Sequence, residues 1–589
     1  MAGTLFLVVG PSGAGKDTLI DGARAALAGD ARVVFARRAI TRPADAGGEV
    51  HEAVTELEFA ARRDAGGFML HWQAHGLSYG IPSSYADDLA SGRNVVANVS
   101  RAVIGDAIRR FAPATVLEIT ASPEILAARL ANRGRETRDE IAARLARDAA
   151  SIPPDATRVT IVNDATPEDG IAKVAAALRP APPPSAEWLR TKIARAPLSA
   201  DAYRGVIRDI VEGRYGEQDT ADFLAAVAGT LTPDETVDLA RVRAEFATPI
   251  KWDSDFVVDK HSMGGIPGSR ITMVVIPIVA AGGLTIPKTS SRAITSPAGT
   301  ADAMEVLAKV DLDADAVRRV VKETGGCIVW NGRLNHSRVD EVMNAITRPL
   351  RIDSLRWSVA SILSKKLAAG ATHCIIDVPV GPTAKVDTPE DAAELRDLFE
   401  YVGRALGLHV EVRLTAGTAP IGRGIGPALE ARDVVAVLRN DPQAPADLRD
   451  KALSFASSIF AFDPTVTGAE AEARAKRLIE SGAAYETLER IVAAQGRPAE
   501  TVAIGTHERV VTAGAAGTVA GIDCFALAGI ARTAGAPADK GAGIDLIAAP
   551  GEPVEADQPI YRIHARNEAA LDAAVARADA DHAFRISAG

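Results

Sequence analysis

The sequence predicts an α/β protein that is divided into several domains. Near its start, an apolar, strand-like segment leads through a glycine-rich turn into an amphipathic helix, which is the order that builds parallel sheets. In the middle of the chain, an apolar segment separates two loops rich in glycine, hydroxyl and cationic residues. The length of 589 residues suffices for about four domains at roughly 150 residues each.

The composition limits the classes of function. With a net charge of -10 and a pI near 5.6, the chain has no basic footprint, so we expect no nucleic-acid partner. Cys327, Cys374 and Cys524 lie far apart without CxxC spacing, which argues against a disulfide framework or a zinc site and for a reducing compartment. The chain shows no secretory signal and no apolar run of about 18 residues. We therefore expect a cytoplasmic protein that binds small molecules and no membrane.

The N-terminal segment predicts a nucleotide phosphate-binding turn, or P-loop. Thr4 to Val9 is predicted as a buried strand, and an amphipathic helix is predicted to run to about Leu27. Between them stands G-x-x-x-x-G-K, in which glycine amides wrap phosphates, the helix N-terminus faces them and the lysine adds a positive charge. The predicted nucleotide-binding residues are Gly10, Ser12, Gly13, Gly15, Lys16, Asp17 and Thr18.

The residue after the lysine departs from this motif. The motif has Ser or Thr there as a Mg²⁺ ligand, whereas this chain has Asp17. Either the carboxylate binds the metal, directly or through water, or Thr18 does so from a slightly shifted helix. Both residues are candidate metal ligands.

Polar and aromatic segments further along predict a site for a phosphorylated acceptor. Arg38 and Arg42 lie near a strand end, as an acceptor carrying its own phosphate requires, and Tyr79 lies in the loop HWQAHGLSYGIP. That loop suits a sugar phosphate, although it is also explained as a surface loop with a stabilising Trp. Arg133 and Arg135 flank Gly134 in an arginine-rich segment typical of a kinase lid, or else of a solvated helix face.

These motifs carry a resemblance. GPSGAGKDT, ITRPADAGGE and HWQAHGLSYGIP resemble the guanylate kinase-like P-loop kinases, and most closely the ribose 1,5-bisphosphate phosphokinases of phosphonate catabolism. The resemblance implies transfer of a phosphoryl group from ATP, with Mg²⁺, to the 1-phosphate of ribose 1,5-bisphosphate. Lys16, Arg133 and Arg135 would be the catalytic cations. Guanylate kinases carry a second arginine where this chain has Ala44-Asp45, so GMP is a weaker candidate acceptor.

The next segment predicts a linker followed by helices. RPAPPP at 179–184 predicts a short, semi-stiff polyproline linker. Downstream, a helix is predicted to begin at Leu198-Ser199, Thr220 is predicted to cap a second, and Thr232 with Glu235 has capping-box spacing for a third. This segment carries no catalytic constellation.

The central loops predict a two-part anion cradle, which comprises residues 260–268 and 288–300. A phosphate dianion is held by inward-turned amides, which glycines permit, by hydroxyls and by fixed cations. The apolar segment Ile271 to Ala281 between the loops predicts a buried element that fixes their relation. Ordinary turn chemistry is the alternative explanation. The candidates from residue type are Lys260, Ser262, Gly264, Gly265, Gly268, Lys288, Ser290, Ser291, Arg292 and Thr300.

A second candidate patch follows the cradle. Asp353-Ser354 directly precedes a predicted helix, Leu355 to Ala369, in which Ser361 and Lys365 are four residues apart and share one face. A strand and then a loop ending at Lys385 come next, and ligands of open α/β sheets bind at such carboxyl ends. Spacing alone does not separate this patch from an ordinary amphipathic helix.

DKHSMGGIPG and IPKTSSRAITSPAGTADAMEVL resemble the thymidine phosphorylase and AMP phosphorylase superfamily, and most closely its AMP phosphorylase branch, over residues 185–589. The resemblance implies that inorganic phosphate attacks C1′ of a nucleoside or nucleotide while Asp353 protonates the leaving base. It also implies a homodimer or higher homo-oligomer through the phosphorylase half, with dimer contacts in the helical lobe. The nucleotide contacts that it implies are Gly265, Ser291, Arg292, Ala293, Ile294, Thr295, Ser296, Thr300, Ser361 and Lys385.

The predicted fold is thus α/β in two parts. An N-terminal P-loop kinase domain with a parallel sheet (1–178) precedes the linker (179–184). A nucleoside phosphorylase fold follows, with a helical lobe (185–250), a large α/β lobe (251–490) and a small C-terminal α/β lobe (491–589).

Three functions are compatible with this organisation. The first is a kinase fused to a nucleotide phosphorylase, in which phosphorolysis of AMP would give ribose 1,5-bisphosphate, the acceptor of the kinase. The second has a thymidine or pyrimidine nucleoside phosphorylase as the C-terminal activity. It is disfavoured because thymidine phosphorylases place an arginine where this chain has Ile346. In the third, which Asp17 favours, one half is a non-catalytic nucleotide-binding module.

Overall fold

The structure is a computed structural model that describes residues 3–43, 50–74, 76–132, 152–179, 182–293, 296–336, 338–347, 349–352 and 354–587. It divides into two compact units. The first contains Met1–Leu189 with Gly205–Phe223, and the second contains Arg190–Arg204 with Leu224–Gly589.

The first unit is built on a parallel sheet. Its strands are β1 (Leu5–Val9), β2 (Val33–Phe35), β3 (Ala39–Ile40), β4 (Glu52–Ala53), β5 (Phe68–Ala74), β6 (Leu77–Pro82), β7 (Asn94–Asn98), β8 (Ala114–Thr120) and β9 (Arg158–Val162). The main sheet has the order β2-β7-β1-β8-β9, and every pair in it is parallel. All five residues of β1 are buried, as an apolar central strand covered on both faces requires. This confirms the predicted parallel sheet.

A second, four-stranded sheet in this unit has the order β4-β3-β6-β5 and contains the hairpin of β5 and β6. The helices are α1 (Lys16–Ala26), α2 (Glu56–Asp64), α3 (Tyr85–Ala90), a 3₁₀ turn (Arg101–Val103), α4 (Ile104–Arg110), α5 (Pro123–Asn132) and α6 (Pro167–Leu178). Helix α1 follows β1 through the predicted phosphate-binding turn.

Four helices follow the predicted linker: α7 (Ala186–Ile193), α8 (Ala200–Val211), α9 (Glu217–Thr230) and α10 (Pro233–Glu245). The predicted capping box is confirmed, because the Thr232 side chain accepts from the Glu235 amide while the Glu235 side chain accepts from the Thr232 amide. The prediction that Thr220 caps a helix is wrong. It lies inside α9, which begins three residues earlier, and its hydroxyl donates back to the Gly216 carbonyl at 3.0 Å.

The second unit contains a parallel sheet of β10 (Val258–Ser262), β11 (Ile286–Ser290), β12 (Gly326–Trp330), β13 (His373–Val380) and β14 (His409–Ala416). Parallel pairs join β14 to β13, β13 to β10 and β11 to β12, and a parallel bridge between Val257 and Thr285 connects the two groups. The carboxyl ends of these strands therefore lie along one edge.

Helices surround this sheet. They are α11 (Ile271–Ala281), α12 (Thr300–Met304), α13 (Ala314–Thr324), α14 (Arg338–Thr347), α15 (Leu355–Ala368), α16 (Pro389–Ala405), α17 (Pro427–Leu438), α18 (Ala446–Phe460), α19 (Gly468–Glu480) and α20 (Ala483–Gln495). Residues 271 to 280 of α11 are all buried, which confirms the predicted buried element between the two cradle loops.

The remaining strands are β15 (Gly424–Ile425), β16 (His507–Thr512), β17 (Gly517–Ile522), β18 (Gly543–Leu546), β19 (Pro553–Val554), β20 (Pro559–Ala565) and β21 (Phe584–Ser587). They form two antiparallel sheets that pack with α21 (Cys524–Thr533) and α22 (Glu568–Asp581). Across the described residues, no helix has both the length and the apolarity needed to cross a membrane.

Candidate active sites

The turn between β1 and α1 has the geometry of a phosphate-binding loop. Gly13 and Gly15 adopt positive φ angles of 86° and 83°, and a Cβ on Gly10 would lie 1.9 Å from the Ile119 carbonyl oxygen. The Lys16 ammonium donates to the carbonyls of Gly10, at 2.8 Å, and Pro11, at 3.1 Å. The lysine thus lies over the turn that contains Ser12. Only glycine fits these backbone positions without strain.

Both candidate metal ligands are exposed on the first turn of α1. The amide of Asn98, the last residue of β7, donates to the Asp17 carboxylate at 3.3 Å. Asp17 is therefore held at the carboxyl end of the sheet, and both Asp17 and Thr18 present there the oxygen ligands that Mg²⁺ prefers. Sequence reasoning missed Asn98, because no local pattern pairs it with Asp17.

The acceptor candidates lie beside the same strand end. The Arg38 guanidinium stands 5.2 Å from the centre of the Tyr79 ring, and the Tyr79 and Trp72 rings stack at 5.4 Å. Arg38 also donates to the Asn98 carbonyl at 3.2 Å, so the structure brings Arg38 and Tyr79 close to Asp17. Arg42 lies instead beside His51, with 3.4 Å between its Nη2 and the His51 Nδ1.

The predicted lid arginines Arg133 and Arg135 lie outside the described residues. Arg129, earlier in the same segment, donates from Nη2 to the Asn163 carbonyl at 3.0 Å. The Asn163 amide in turn donates to the Ala14 carbonyl at 2.8 Å. This chain of contacts links the last helix before the lid segment to the phosphate-binding turn.

In the second unit, the predicted cradle loops follow β10 and β11 at the same edge of the sheet. Gly265 adopts a φ of 91°, and a Cβ there would lie 2.8 Å from the Lys385 amide nitrogen, so the loops after β10 and β13 touch. A Cβ on Gly299 would lie 2.6 Å from the Ala293 nitrogen, because the loop after β11 folds back on itself. Close backbone approach therefore accounts for Gly265 and Gly299, whereas a Cβ on the candidate Gly264 would meet no other atom within 4 Å.

The Lys260 side chain is fully buried beneath its loop. Its ammonium donates to the Thr272 hydroxyl at 3.2 Å and lies 4.0 Å from the Asp377 carboxylate. Burial lowers the pKa of Lys260 to about 7; Asp377 opposes this shift, and nearby cations, including Lys451, reinforce it. Ser262 donates to the same carboxylate at 2.8 Å.

Lys288 extends beneath β10. Its ammonium donates to the Lys260 carbonyl at 2.7 Å and lies 3.3 Å from Asp259, which also pairs with Lys366 at 2.7 Å. Burial lowers the pKa of Lys288 to about 8. These contacts give Lys288 a place in a buried ion cluster that supports the first cradle loop.

Two carboxylates accept hydrogen bonds from the second cradle loop and hold it in place. The Arg292 guanidinium makes two contacts with the Glu305 carboxylate, each at 2.8 Å, and Asp302 accepts from the amides of Ala293, at 2.6 Å, and Gly299, at 2.9 Å. The hydroxyls of Ser290 and Ser296 donate to neighbouring carbonyls. Ser291 is exposed, whereas Ile294 and Thr295 lie outside the described residues. Sequence reasoning missed Asp302.

The second patch converges on a carboxylate that sequence reasoning also missed. Ser361 donates to both oxygens of Asp340, at 3.0 and 2.9 Å, and Lys365 pairs with it at 2.6 Å. Burial would raise the pKa of Asp340, but the cations of Arg243 and Lys365 outweigh burial and hold that pKa well below its usual range. Lys385 donates to Ser358, one turn before Ser361, at 3.2 Å. Asp353, the predicted acid, lies outside the described residues.

The fold and these two sites define a class of protein, a P-loop phosphotransferase unit joined to a nucleoside phosphorylase-like unit. Residues 254–485 match the family model described as "Glycosyl transferase family, a/b domain". Residues 518–585 match "Pyrimidine nucleoside phosphorylase C-terminal domain".

Three bacterial proteins of similar sequence identify the family within this class. The "Bifunctional ribose 1,5-bisphosphokinase-thymidine phosphorylase" of Cupriavidus necator is 55% identical, with 98% of this chain and 96% of that protein covered. Proteins with the same name from Azorhizobium caulinodans and Roseobacter denitrificans are 50% and 41% identical, with at least 97% of every chain covered. The chain belongs to this family of bifunctional transferases, which confirms the resemblances to a ribose 1,5-bisphosphate phosphokinase and to the thymidine phosphorylase and AMP phosphorylase superfamily. The choice of the AMP phosphorylase branch stays a prediction.

Proposed function

We propose that the chain couples two reactions. Phosphorolysis of a nucleoside 5′-monophosphate such as AMP would give the free base and ribose 1,5-bisphosphate. ATP-dependent phosphorylation would then convert ribose 1,5-bisphosphate to 5-phosphoribosyl 1-diphosphate. The observation that supports this proposal is that one polypeptide holds a turn with phosphate-binding geometry near Arg38 and, at the edge of a second parallel sheet, two loops rich in glycines, hydroxyls and cations. The product proposed for the second site is the acceptor proposed for the first.

In the phosphorolysis, inorganic phosphate would be held by the cradle with Lys260, Ser262 and Thr300. A phosphate oxygen forms a bond to C1′ while the glycosidic bond breaks, and the departing base takes a proton. Asp353 is the proposed donor, since a purine leaves more easily once it is protonated. Ser361, Lys365 and Lys385 would contact the nucleotide, together with Gly265 and the residues of the second loop.

In the kinase reaction, Lys16 and the turn amides would hold ATP, with Asp17 or Thr18 as the Mg²⁺ ligand. Bound Mg²⁺ would neutralise charge on the β- and γ-phosphates. An oxygen of the acceptor's 1-phosphate would attack the γ-phosphorus, and ADP would leave. Arg38, Arg42 and Tyr79 would orient the acceptor, and Arg133 and Arg135 would stabilise the transferring group.

The names of the relatives favour thymidine as a second candidate substrate for the phosphorylase half. Comparing kcat/KM for AMP and thymidine separates the candidates. The lead proposal predicts a clear preference for AMP and release of ribose 1,5-bisphosphate. A strict preference for thymidine would reject the lead proposal. A nucleoside without a 5′-phosphate gives a sugar 1-phosphate, which is not the acceptor proposed for the kinase.

The proposal also requires two working sites. Lys16→Ala should abolish only the kinase reaction, and Lys260→Ala only the phosphorolysis. A substitution that does not abolish its own half-reaction would favour that half as a non-catalytic module. We also propose that 1–178 and 185–589, joined by the linker 179–184, carry the two activities, and that the second forms a homodimer through 185–250. Sedimentation of the intact protein tests the dimer.

A further inference from the structure

A cation that the motifs did not single out joins the two cradle loops. Arg270 lies two residues after the first loop and directly precedes α11, and only 11% of its side chain is exposed. Its Nη2 donates to the Ala298 carbonyl at 2.6 Å, and its Nη1 lies 3.5 Å from the Thr300 hydroxyl. Thr300 belongs to the second loop, so Arg270 spans the junction between them.

The other cradle cations have hydrogen-bond partners other than Thr300. Lys288 donates to a backbone carbonyl beneath β10, and Arg292 is held by both oxygens of Glu305. Lys260 donates to Thr272, on the first turn of the helix that Arg270 precedes. Within the part of the chain that the structure describes, Arg270 is the cation that the hydrogen bonds bring to Thr300.

Arg270 is also held in place from the opposite side. Its Nε donates to the carboxylate of Glu430, whose side chain is fully buried and whose other oxygen accepts from the Gly426 amide at 3.2 Å. The guanidinium is therefore fixed along its Nε edge by Glu430, while its Nη1 edge faces the cradle. A guanidinium fixed in this way presents paired N–H donors with the spacing of phosphate oxygens.

We propose that Arg270, oriented by Glu430, binds the attacking inorganic phosphate together with Thr300 in the phosphorylase half. This proposal rests on the proposed function and assigns a phosphate ligand to it. The dianion takes the remaining N–H donors of the guanidinium and adds an acceptor for the Thr300 hydroxyl. Arg270 also acts electrostatically on Lys260, so a dianion between them relieves the repulsion of two cations.

The test is direct phosphate binding in a Lys16→Ala background, which removes the P-loop as a competing phosphate site. Calorimetry with inorganic phosphate is compared for this protein and for the same protein carrying Arg270→Gln or Arg270→Lys. Loss of a charge-assisted contact predicts a Kd for phosphate roughly ten- to a hundredfold higher with Arg270→Gln. Arg270→Lys, which keeps the charge but loses the fork, should recover part of this loss.

Steady-state phosphorolysis gives a second readout. Arg270→Gln should raise the KM for phosphate and leave the KM for AMP within about twofold, because a residue that binds inorganic phosphate contributes to only one of these two constants. Arg439→Gln is the matched control, since Arg439 is exposed and contacts Tyr485, and neither residue belongs to a cradle loop. It should change neither constant.

The outcomes separate this inference from the proposed function. Unchanged phosphate affinity in Arg270→Gln, or an equal rise in both KM values, would overturn the role of Arg270 while phosphorolysis by the parent protein still stands. Absence of phosphorolysis in the parent protein would reject the proposed function and this inference with it. If Arg270→Gln fails to fold, the lysine variant decides: its Kd for phosphate must rise several-fold, and an unchanged value would overturn the inference.

Discussion

The hydroxyl of Ser262 donates a hydrogen bond to the carboxylate of Asp377 across 2.8 Å, which joins the end of β10 to the neighbouring strand β13. Asp377 has no exposed side-chain area, yet it also accepts from Thr415 at 2.7 Å and pairs with Lys451 at 3.0 Å. Burial alone would raise the pKa of Asp377, but Lys260 and the other partners outweigh burial and lower it. An ionised Asp377 thus fixes the base of the first cradle loop.

Asp377→Asn should therefore destabilise the protein strongly. The substitution leaves the buried Lys260 and the mostly buried Lys451 without their counter-ion, and breaking such a pair costs about 3 to 5 kcal/mol. Urea denaturation followed by tryptophan fluorescence measures the change. Asp450→Asn, at an exposed position beside Lys451, is the control and should lie within about 0.5 kcal/mol of the parent. A similar small effect for Asp377→Asn would contradict the ion pairing.

The pKa of Lys260, about 7, predicts a pH dependence of anion binding. Because the folded value lies below the ordinary value of 10.5, Lys260 loses its proton, and with it its attraction for anions, as pH rises through 7. By the same linkage, the free energy of unfolding contributed by this group rises between about pH 7 and pH 10.

Sulfate does not titrate in this range, so its direct binding, measured by calorimetry in a Lys16→Ala background, is a suitable probe. The Kd for sulfate should rise as pH goes from 6 to 8 when Lys260 is present. Lys260→Met should give weak sulfate binding that does not change with pH. A constant that is independent of pH in both proteins would show that Lys260 does not meet the anion.

The contact between Asn98 and Asp17 predicts a role for that carboxylate in Mg²⁺ binding. If Asp17 is the ligand, Asp17→Asn should raise the Mg²⁺ concentration for half-maximal kinase activity roughly tenfold, as losses at metal sites commonly do. Thr18→Ala should leave it unchanged. Mn²⁺ binding in the presence of ATP, followed by paramagnetic resonance, gives the same comparison without turnover. The opposite ranking would identify Thr18 as the ligand.

The capping box of α10 predicts a purely structural effect. Thr232→Ala removes the acceptor of the Glu235 amide and should cost about 1 kcal/mol of stability. Thr232→Ser keeps that acceptor and serves as the control. Both variants should keep the two activities at the parent level, as measured below the unfolding transition. Loss of an activity would mean that this helix does more than support the fold.

Local features were predictable from the sequence because their causes are local. The phosphate-binding turn, the buried α11 and the Thr232 capping box depend on residues within a few positions of one another. Thr220 was misjudged because cap-forming residues also occur inside helices, where they bond to the preceding turn.

The pairings of distant residues that support the sites could not be predicted from the sequence. Ser262 and Asp377 are 115 positions apart, and Arg270 and Glu430 are 160 apart. No spacing rule connects such pairs, since only the folded sheet brings them together. The prediction that Asp353 is the acid and the predicted boundary at 179–184 both stay predictions.

Product analysis tests the coupling of the two halves most directly. The full-length protein is incubated with AMP and inorganic phosphate, with and without ATP and Mg²⁺, and the products are separated by anion-exchange chromatography. The account predicts adenine and ribose 1,5-bisphosphate without ATP, and 5-phosphoribosyl 1-diphosphate when ATP is added. Unchanged AMP in both reactions, together with efficient cleavage of thymidine, would contradict it.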